Sequence, residues 1–184
     1  RQQAYLTKGI KITVKDERNP VIYHSKRLDK DITESSDYTF YFEGGIVSYV
    51  DFLNHREESK NKNIFYIGKE QQGIFVEVAL QYVEELTSRE LSFANNVHTI
   101  EGGMHLTGFR SAITRTLNDY ARKNTFLNEK EDNLSGEDVR EGLTVIISVK
   151  LRDPQFEGQT KAKLGTPDAR TAVETVINTE FADW

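Results

Sequence analysis

SFANNVHTIEGGMHLTGFRSAITRTLNDYARK, residues 92–123, passes from strand-forming residues through a glycine-rich bend into a helical pattern. ELSFANNVHT (90–99) reads as a strand, and EGGMHLTG (101–108) closes it. From Phe109 to Lys123 the apolar spacing predicts a helix. At about 100° per residue, Phe109, Ala112, Ile113, Thr116, Leu117 and Tyr120 share one face, with Ser111, Arg115, Asn118 and Arg122 opposite. The bend carries Gly102, Gly103 and Gly108. A glycine turn ahead of a helix can hold an anion on its N–H groups or simply let the chain turn tightly. No Gly-Lys-Ser/Thr follows and no dinucleotide fingerprint is present, so the tight turn is the preferred reading. Arg115 and Arg122 stand two turns apart, Lys123 adjoins them and Arg110 flanks them. Such a row can follow a phosphate backbone or make a solvated helix face, and residue types leave both open.

Working outward, residues 1–9 read as the tail of a helix ended by Gly9. IKITVKDER (10–18) alternates Ile10, Ile12 and Val14 with polar residues, as a half-buried strand does. Residues 17–37, with Pro20, suggest a hairpin or exposed loop. YTFYFEGGIVSYVDFLN (38–54) predicts a strand, a pause at Gly44–Gly45, and a short helix with Ile46, Val50 and Leu53 inward. HREESKNKN (55–63) is a solvated loop, and IFYIGKEQQGIFVEVALQYV (64–83) is two strands around a turn at 69–73. NEKEDNLSGED (128–138) reads as an acidic loop in which Asp138 and Glu141 can pair with Arg140. LTVIISVKL (143–151) is β-branched enough for a central strand. A last helix starts with Thr166 as N-cap, Pro167 first and Asp168 in the first turn. Its inward face is Ala169, Ala172, Val173, Val176 and Ile177. The sum is α+β, a sheet with helices packed on it.

Composition narrows the function. The chain has 184 residues, 37% hydrophobic and 29% charged, which suits one globular domain, or one domain plus a fragment of another. Cysteine is absent, which excludes disulfides and thiolate metal sites. A net charge of −5 argues against a simple nucleic-acid binder, so any such contact needs a local patch. No apolar run is long enough to span a membrane as a helix. The opening RQQAYLTKG, without Met or a signal peptide, suggests a cut inside a longer protein of the cytoplasm.

DPQFEGQTKAKLGT (153–166) places Gln159, Thr160, Lys161 and Lys163 after a glycine. Lysine is a compact mobile cation that suits a phosphate oxygen, and glutamine adds a neutral donor; a solvated surface loop is the alternative. His98, His105 and Glu101 flank the glycine turn, but no further zinc ligand has obvious spacing, and structural roles are preferred. There is no nucleophile elbow and no self-contained catalytic constellation.

Taken in order, LTKGIKITVKDER, FYFEGGIVSYVDFLN, VEVALQY, the 92–123 block and GEDVREGLTVIISVKLRDPQFEGQTKAKLG resemble one family over essentially the whole chain. It is the second, or transducer, domain of the ATPase subunit of bacterial type II DNA topoisomerases. The gyrase B subunit is the nearer match and the equivalent topoisomerase IV protein its sister. The resemblance implies a ribosomal-protein-like left-handed β-α-β fold, a mixed sheet packed with helices, which is the second domain of GHKL ATPases. It implies that residues 1–16 end the preceding GHKL ATPase domain and that 17–184 form the transducer. Gln159, Thr160 and Lys161 match the family's Gln-Thr-Lys loop. Lys161 would then contact the ATP γ-phosphate catalytically and Gln159 would hydrogen-bond it. Arg110, in Gly-Phe-Arg, would face a cavity through which a DNA duplex passes; helical geometry adds Arg115 and Arg122. Implied partners are that duplex, the preceding ATPase domain, a second copy of the subunit and the DNA-cleaving A subunit. ATP and Mg²⁺ belong to the full-length subunit. The Bergerat motifs that hold Mg²⁺ and read adenine are not among these residues, so this piece alone is expected to bind no cofactor and no metal and to be inactive. The expected setting is cytoplasmic and nucleoid-associated, the expected reaction supercoiling or decatenation. A non-enzymatic nucleic-acid module and another GHKL protein, such as a mismatch-repair ATPase, are the competing readings.

Overall fold

A computed structural model describes residues 1–16, 18, 22–33, 37–182 and 184. Glu17, where the expected domain boundary falls, and Pro20 lie outside the described residues. The chain divides into two units, Arg1–Gly45 and Ile46–Trp184.

In the first unit a short helix α1 (Gln2–Leu6) precedes β1 (Lys11–Lys15), β2 (Ile22–Ser25), β3 (Lys30–Thr33) and β4 (Asp37–Tyr41). β1 pairs antiparallel with β4, and β2 with β3, so the polar stretch after β1 carries a hairpin nested in a ribbon. Tyr5 stacks on Phe42, ring centroids 3.6 Å apart. The expected half-buried face of β1 is not realised here. Ile12 is half-buried, but Ile10 is 41% and Val14 53% exposed. Among the described residues β1 pairs with β4 alone, and a two-stranded ribbon covers little of its own apolar surface.

The second unit opens with α2 (Ile46–Asn54), then β5 (Phe65–Gln71), β6 (Ile74–Tyr82), β7 (Arg89–Ala94), β8 (Val97–His98), α3 (Met104–Lys123) and α4 (Gly136–Arg140). β9 (Leu143–Lys150), β10 (Phe156–Glu157), β11 (Lys163–Leu164) and α5 (Pro167–Glu180) follow. The five-stranded sheet runs β5-β6-β9-β7-β8. β9 pairs antiparallel with β6 and parallel with β7, so β7 must reach β9 by a crossover, which runs through α3. Side chains of β6 and β9 (Val78, Leu80, Val145, Ile147) meet Phe109, Ile113, Val173 and Ile177 in one core. α2 packs on β6 and β9 as well, so β9 is buried along its length to Val149. That double cover is why its sequence is a continuous apolar run and not an alternating one. Among the described residues no helix is long and apolar enough to cross a membrane.

Four local readings differ. ELSFANNVHT is a hairpin, β7 and β8, because Asn95 and Asn96 both adopt positive φ (48° and 64°), which asparagine tolerates and a two-residue turn needs. α3 starts at Met104, five positions before Phe109, which puts Gly108 inside the helix. There an added Cβ would lie 2.6 Å from the Arg170 carbonyl oxygen, so glycine sets the close packing of α3 on α5. The acidic loop contains α4, started by a reciprocal capping box between Ser135 and Asp138. Asn118 is buried and Tyr120 is 53% exposed, the reverse of the helical-wheel reading. The Asn118 amide donates to Thr114 O and Leu134 O, and its carbonyl accepts from Leu134 N–H, which ties the returning chain to α3.

Candidate phosphate loop and arginine groove

Residues 153–166 form a small hairpin and not a slack bend. Phe156 pairs with Leu164 and Glu157 with Lys163, while Gly158 (φ 77°) and Lys161 (φ 56°) turn the chain. The Lys161 N–H donates to Gly158 O at 3.3 Å. Gln159, Thr160 and Lys161 are exposed at the tip, and Ala162 and Leu164 below it are buried. The base is stitched to the glycine turn: Glu101 N–H donates to Ala162 O (2.9 Å) and Leu164 N–H to Gly102 O (3.1 Å). At Gly103 (φ 134°) a Cβ would stand 2.3 Å from Leu164 O, so only glycine permits this approach. Across the other flank, Gly165 N–H donates to Gln155 O (2.7 Å) and Gln155 N–H to Thr166 Oγ1 (2.9 Å). Thr166 is the N-cap by position, yet its hydroxyl braces the hairpin and does not cap α5.

The two lysines differ in environment. Lys163 pairs with Glu157 at 3.1 Å. Lys161 has no carboxylate at ion-pair distance among the described residues; its Nζ lies 5.9 Å from the Phe156 ring centroid. One cation is neutralised at the base and one is presented at the tip.

The three arginines do not form one uniform row. Arg110 donates through Nε to Glu90 Oε2 at 2.8 Å, and Arg140 lies at 3.4 Å from Glu90 Oε1. Arg115 is 74% exposed beside Asp119 at 3.7 Å. Arg122 donates to Asn133 Oδ1 (2.7 Å), Asn128 O (3.1 Å) and Glu131 O (2.8 Å), so its whole fork holds the 128–133 loop. Arg110, Arg115 and Arg140 line a surface groove of about 590 Å³. Sequence spacing pairs Arg140 with Asp138 or Glu141 and gives no hint of Glu90. The Ser135-x-x-Asp138 spacing is the available signal, because it claims Asp138 for the cap and puts Arg140 in the last turn.

The histidines do not converge on a metal, and no group of three His, Asp or Glu residues suited to one occurs among the described residues. His105 is fully buried, and burial depresses its imidazole to about pKa 4. Its Nε2 lies at hydrogen-bond distance, 3.2 Å, from Thr99 Oγ1, which in turn contacts Ser92 O at 2.9 Å and Ser92 Oγ at 2.7 Å. Burial also lowers the pKa of His98.

With this geometry in place, a family model described as DNA gyrase B matches residues 45–184. The mixed sheet and its packed helices are the fold shared with solved gyrase B structures. The chain belongs to the DNA gyrase B family. The DNA gyrase B protein of Halalkalibacterium halodurans is 47% identical over 99% of this chain. This chain spans 26% of that relative's length. Among solved structures, the 43K ATPase domain of Thermus thermophilus gyrase B, in complex with an aminocoumarin, is similar at TM-score 0.78 and 32% identity. That match covers 99% of this chain and 45% of that one. A topoisomerase IV ATP-binding domain of Francisella tularensis shares the fold at TM-score 0.71 and 24% identity, covering 100% of this chain and 45% of that one.

Proposed function

We propose that this domain is the transducer of a gyrase-type subunit, with Gln159, Thr160 and Lys161 completing an ATP site whose other residues lie in a preceding GHKL domain. The carrying observation is that Lys161 is exposed and has no carboxylate partner among the described residues, at the tip of a hairpin whose base is bonded to the glycine turn. A mobile ammonium on a fixed base suits the charge that develops at a γ-phosphate, where positioning and electrostatics dominate phosphoryl transfer. Gln159 adds a neutral donor to the same oxygens. Mg²⁺ would be held by the preceding domain, and this chain's part is to orient the terminal phosphate. Because the contact requires a triphosphate, its loss on hydrolysis signals the nucleotide state and couples it to strand passage, as supercoiling or decatenation.

Arg110 and Arg115 are the DNA-facing residues of this reading. Arg122 adds charge at the far end of α3 while its fork holds the adjoining loop. Residues 1–16 belong to the preceding domain. Residues 17–184 are the transducer in this reading; β1, within 1–16, pairs with β4, and the exposed Val14 and Tyr38 are cross-strand neighbours on that ribbon. A second copy of the subunit and a DNA-cleaving partner subunit complete the assembly, in the cytoplasm and on the nucleoid.

The test is Lys161→Ala in the full-length subunit. The expected result is loss of ATP turnover by about two orders of magnitude or more, with nucleotide binding only weakened, because adenine is read elsewhere. Unchanged turnover would remove the loop from the ATP site.

A further inference from the structure

Glu90 sits within β7 with its side chain only 7% exposed. A carboxylate so buried needs its charge matched. Two guanidiniums from different helices meet it, Arg110 of α3 on Oε2 and Arg140 of α4 on Oε1. Arg110 hydrogen-bonds Glu90 through Nε, whereas Arg140 meets it as an ion pair whose nearest nitrogen is Nε at 3.4 Å. Both side chains line the 590 Å³ groove, Arg110 with 46% and Arg140 with 22% of its side-chain surface exposed. Glu90 cancels one of the two cations, so one positive charge remains uncompensated in a chain of net charge −5.

The third side of the groove repeats the chemistry. Asn133 lines it, and Arg122 donates to Asn133 Oδ1 at 2.7 Å, which leaves the amide NH₂ of Asn133 as a donor. The lining holds three arginines and one carboxylate, Asp119, which pairs with Arg115 at 3.7 Å; the forks of Arg110 and Arg140, with the neutral Asn133 donor, match the tetrahedral oxygens of a phosphodiester.

We propose that Glu90 is a positioning residue that sets Arg110 and Arg140 side by side as a cradle for DNA backbone phosphates, with Arg140 contacting phosphate directly. The inference rests on the DNA-facing reading of Arg110 and adds two residues which that reading does not contain.

The experiment measures binding of a labelled DNA duplex to the full-length subunit across a salt series. Arg140→Gln is expected to weaken binding several-fold and to reduce the slope of log affinity against log salt by about one. Glu90→Gln decides the positioning role, because simple charge counting and positioning predict opposite signs. Removing a negative charge tightens DNA binding if Glu90 is only a counter-charge, whereas loss of alignment weakens it. Tighter or unchanged binding by Glu90→Gln would overturn the proposal. If that variant also melts lower, the double variant Glu90→Gln/Arg140→Gln supplies the answer. A penalty smaller than the sum of the two single penalties supports Glu90 acting through Arg140, and full additivity overturns it. Arg110→Gln separates the two levels. If it leaves affinity and salt slope unchanged, the DNA-facing reading fails. If it matters while Arg140→Gln and Glu90→Gln do not, only the cradle fails.

Discussion

At the scale of single residues, side chains of the same type have taken different roles according to what surrounds them. Lys161 is presented and Lys163 is paired; Arg122 holds a loop while Arg110 and Arg140 share a carboxylate. His105 is the residue whose environment makes the sharpest stability statement. Its folded-state pKa of about 4 lies below the ordinary 6.5 of an imidazole, so the unfolded chain takes up its proton first as pH falls. The stability it secures is complete above about pH 6.5 and is lost as pH falls toward 4, a difference of about 3 kcal/mol at most. Denaturant midpoints of the wild type and His105→Gln should therefore converge or cross between about pH 7 and pH 4.5. Two curves that stay parallel over that range would show that the ring does not titrate with folding.

At the scale of elements, the junction between α3 and β11 governs the hairpin. Gly103→Ala forces a Cβ against the Leu164 backbone, which has no room to retreat because Leu164 N–H is bonded to Gly102 O. The expected cost is about 1–3 kcal/mol of stability, the range for strain at a special backbone position. In the full-length subunit, turnover of ATP should fall even though Lys161 is intact. A variant with wild-type melting temperature and turnover would mean that the stitch does not position the tip. The long elements are legible in the sequence because burial imposes a period. The α5 face Ala169 to Ile177 and the central β9 follow from spacing and β-branching, and both are buried as read. The features that sequence patterns miss are set by contacts that no local pattern encodes. The Asn95–Asn96 turn, the early start of α3 and the burial of Asn118 involve partners 16 to 62 positions away, such as the Leu134 backbone bonded to Asn118, the Leu151 backbone bonded to Asn95 and the Arg170 backbone packed on Gly108. The candidate loop is visible as residue types, but its rigidity is not, since that comes from the distant glycine turn.

At the scale of the whole molecule, the main core lies entirely within residues 46–184, from Phe65 to Phe181. That segment expressed alone is expected to melt in one cooperative transition with its sheet content retained. A broad, non-cooperative melt would mean that it borrows stability from residues 1–45. The place of β9 in the sheet also bears on how the chain is made. Its partners β6 and β7 both precede it in sequence, yet it lies between them, so a nascent chain that has emerged only as far as α3 carries two strands separated by an unfilled slot. Both strands then expose open edges during synthesis, and the sheet closes only when residues 143–150 leave the ribosome. The order of strands therefore makes folding of this domain wait for nearly its whole length, with a period of vulnerability to edge-to-edge association before that moment.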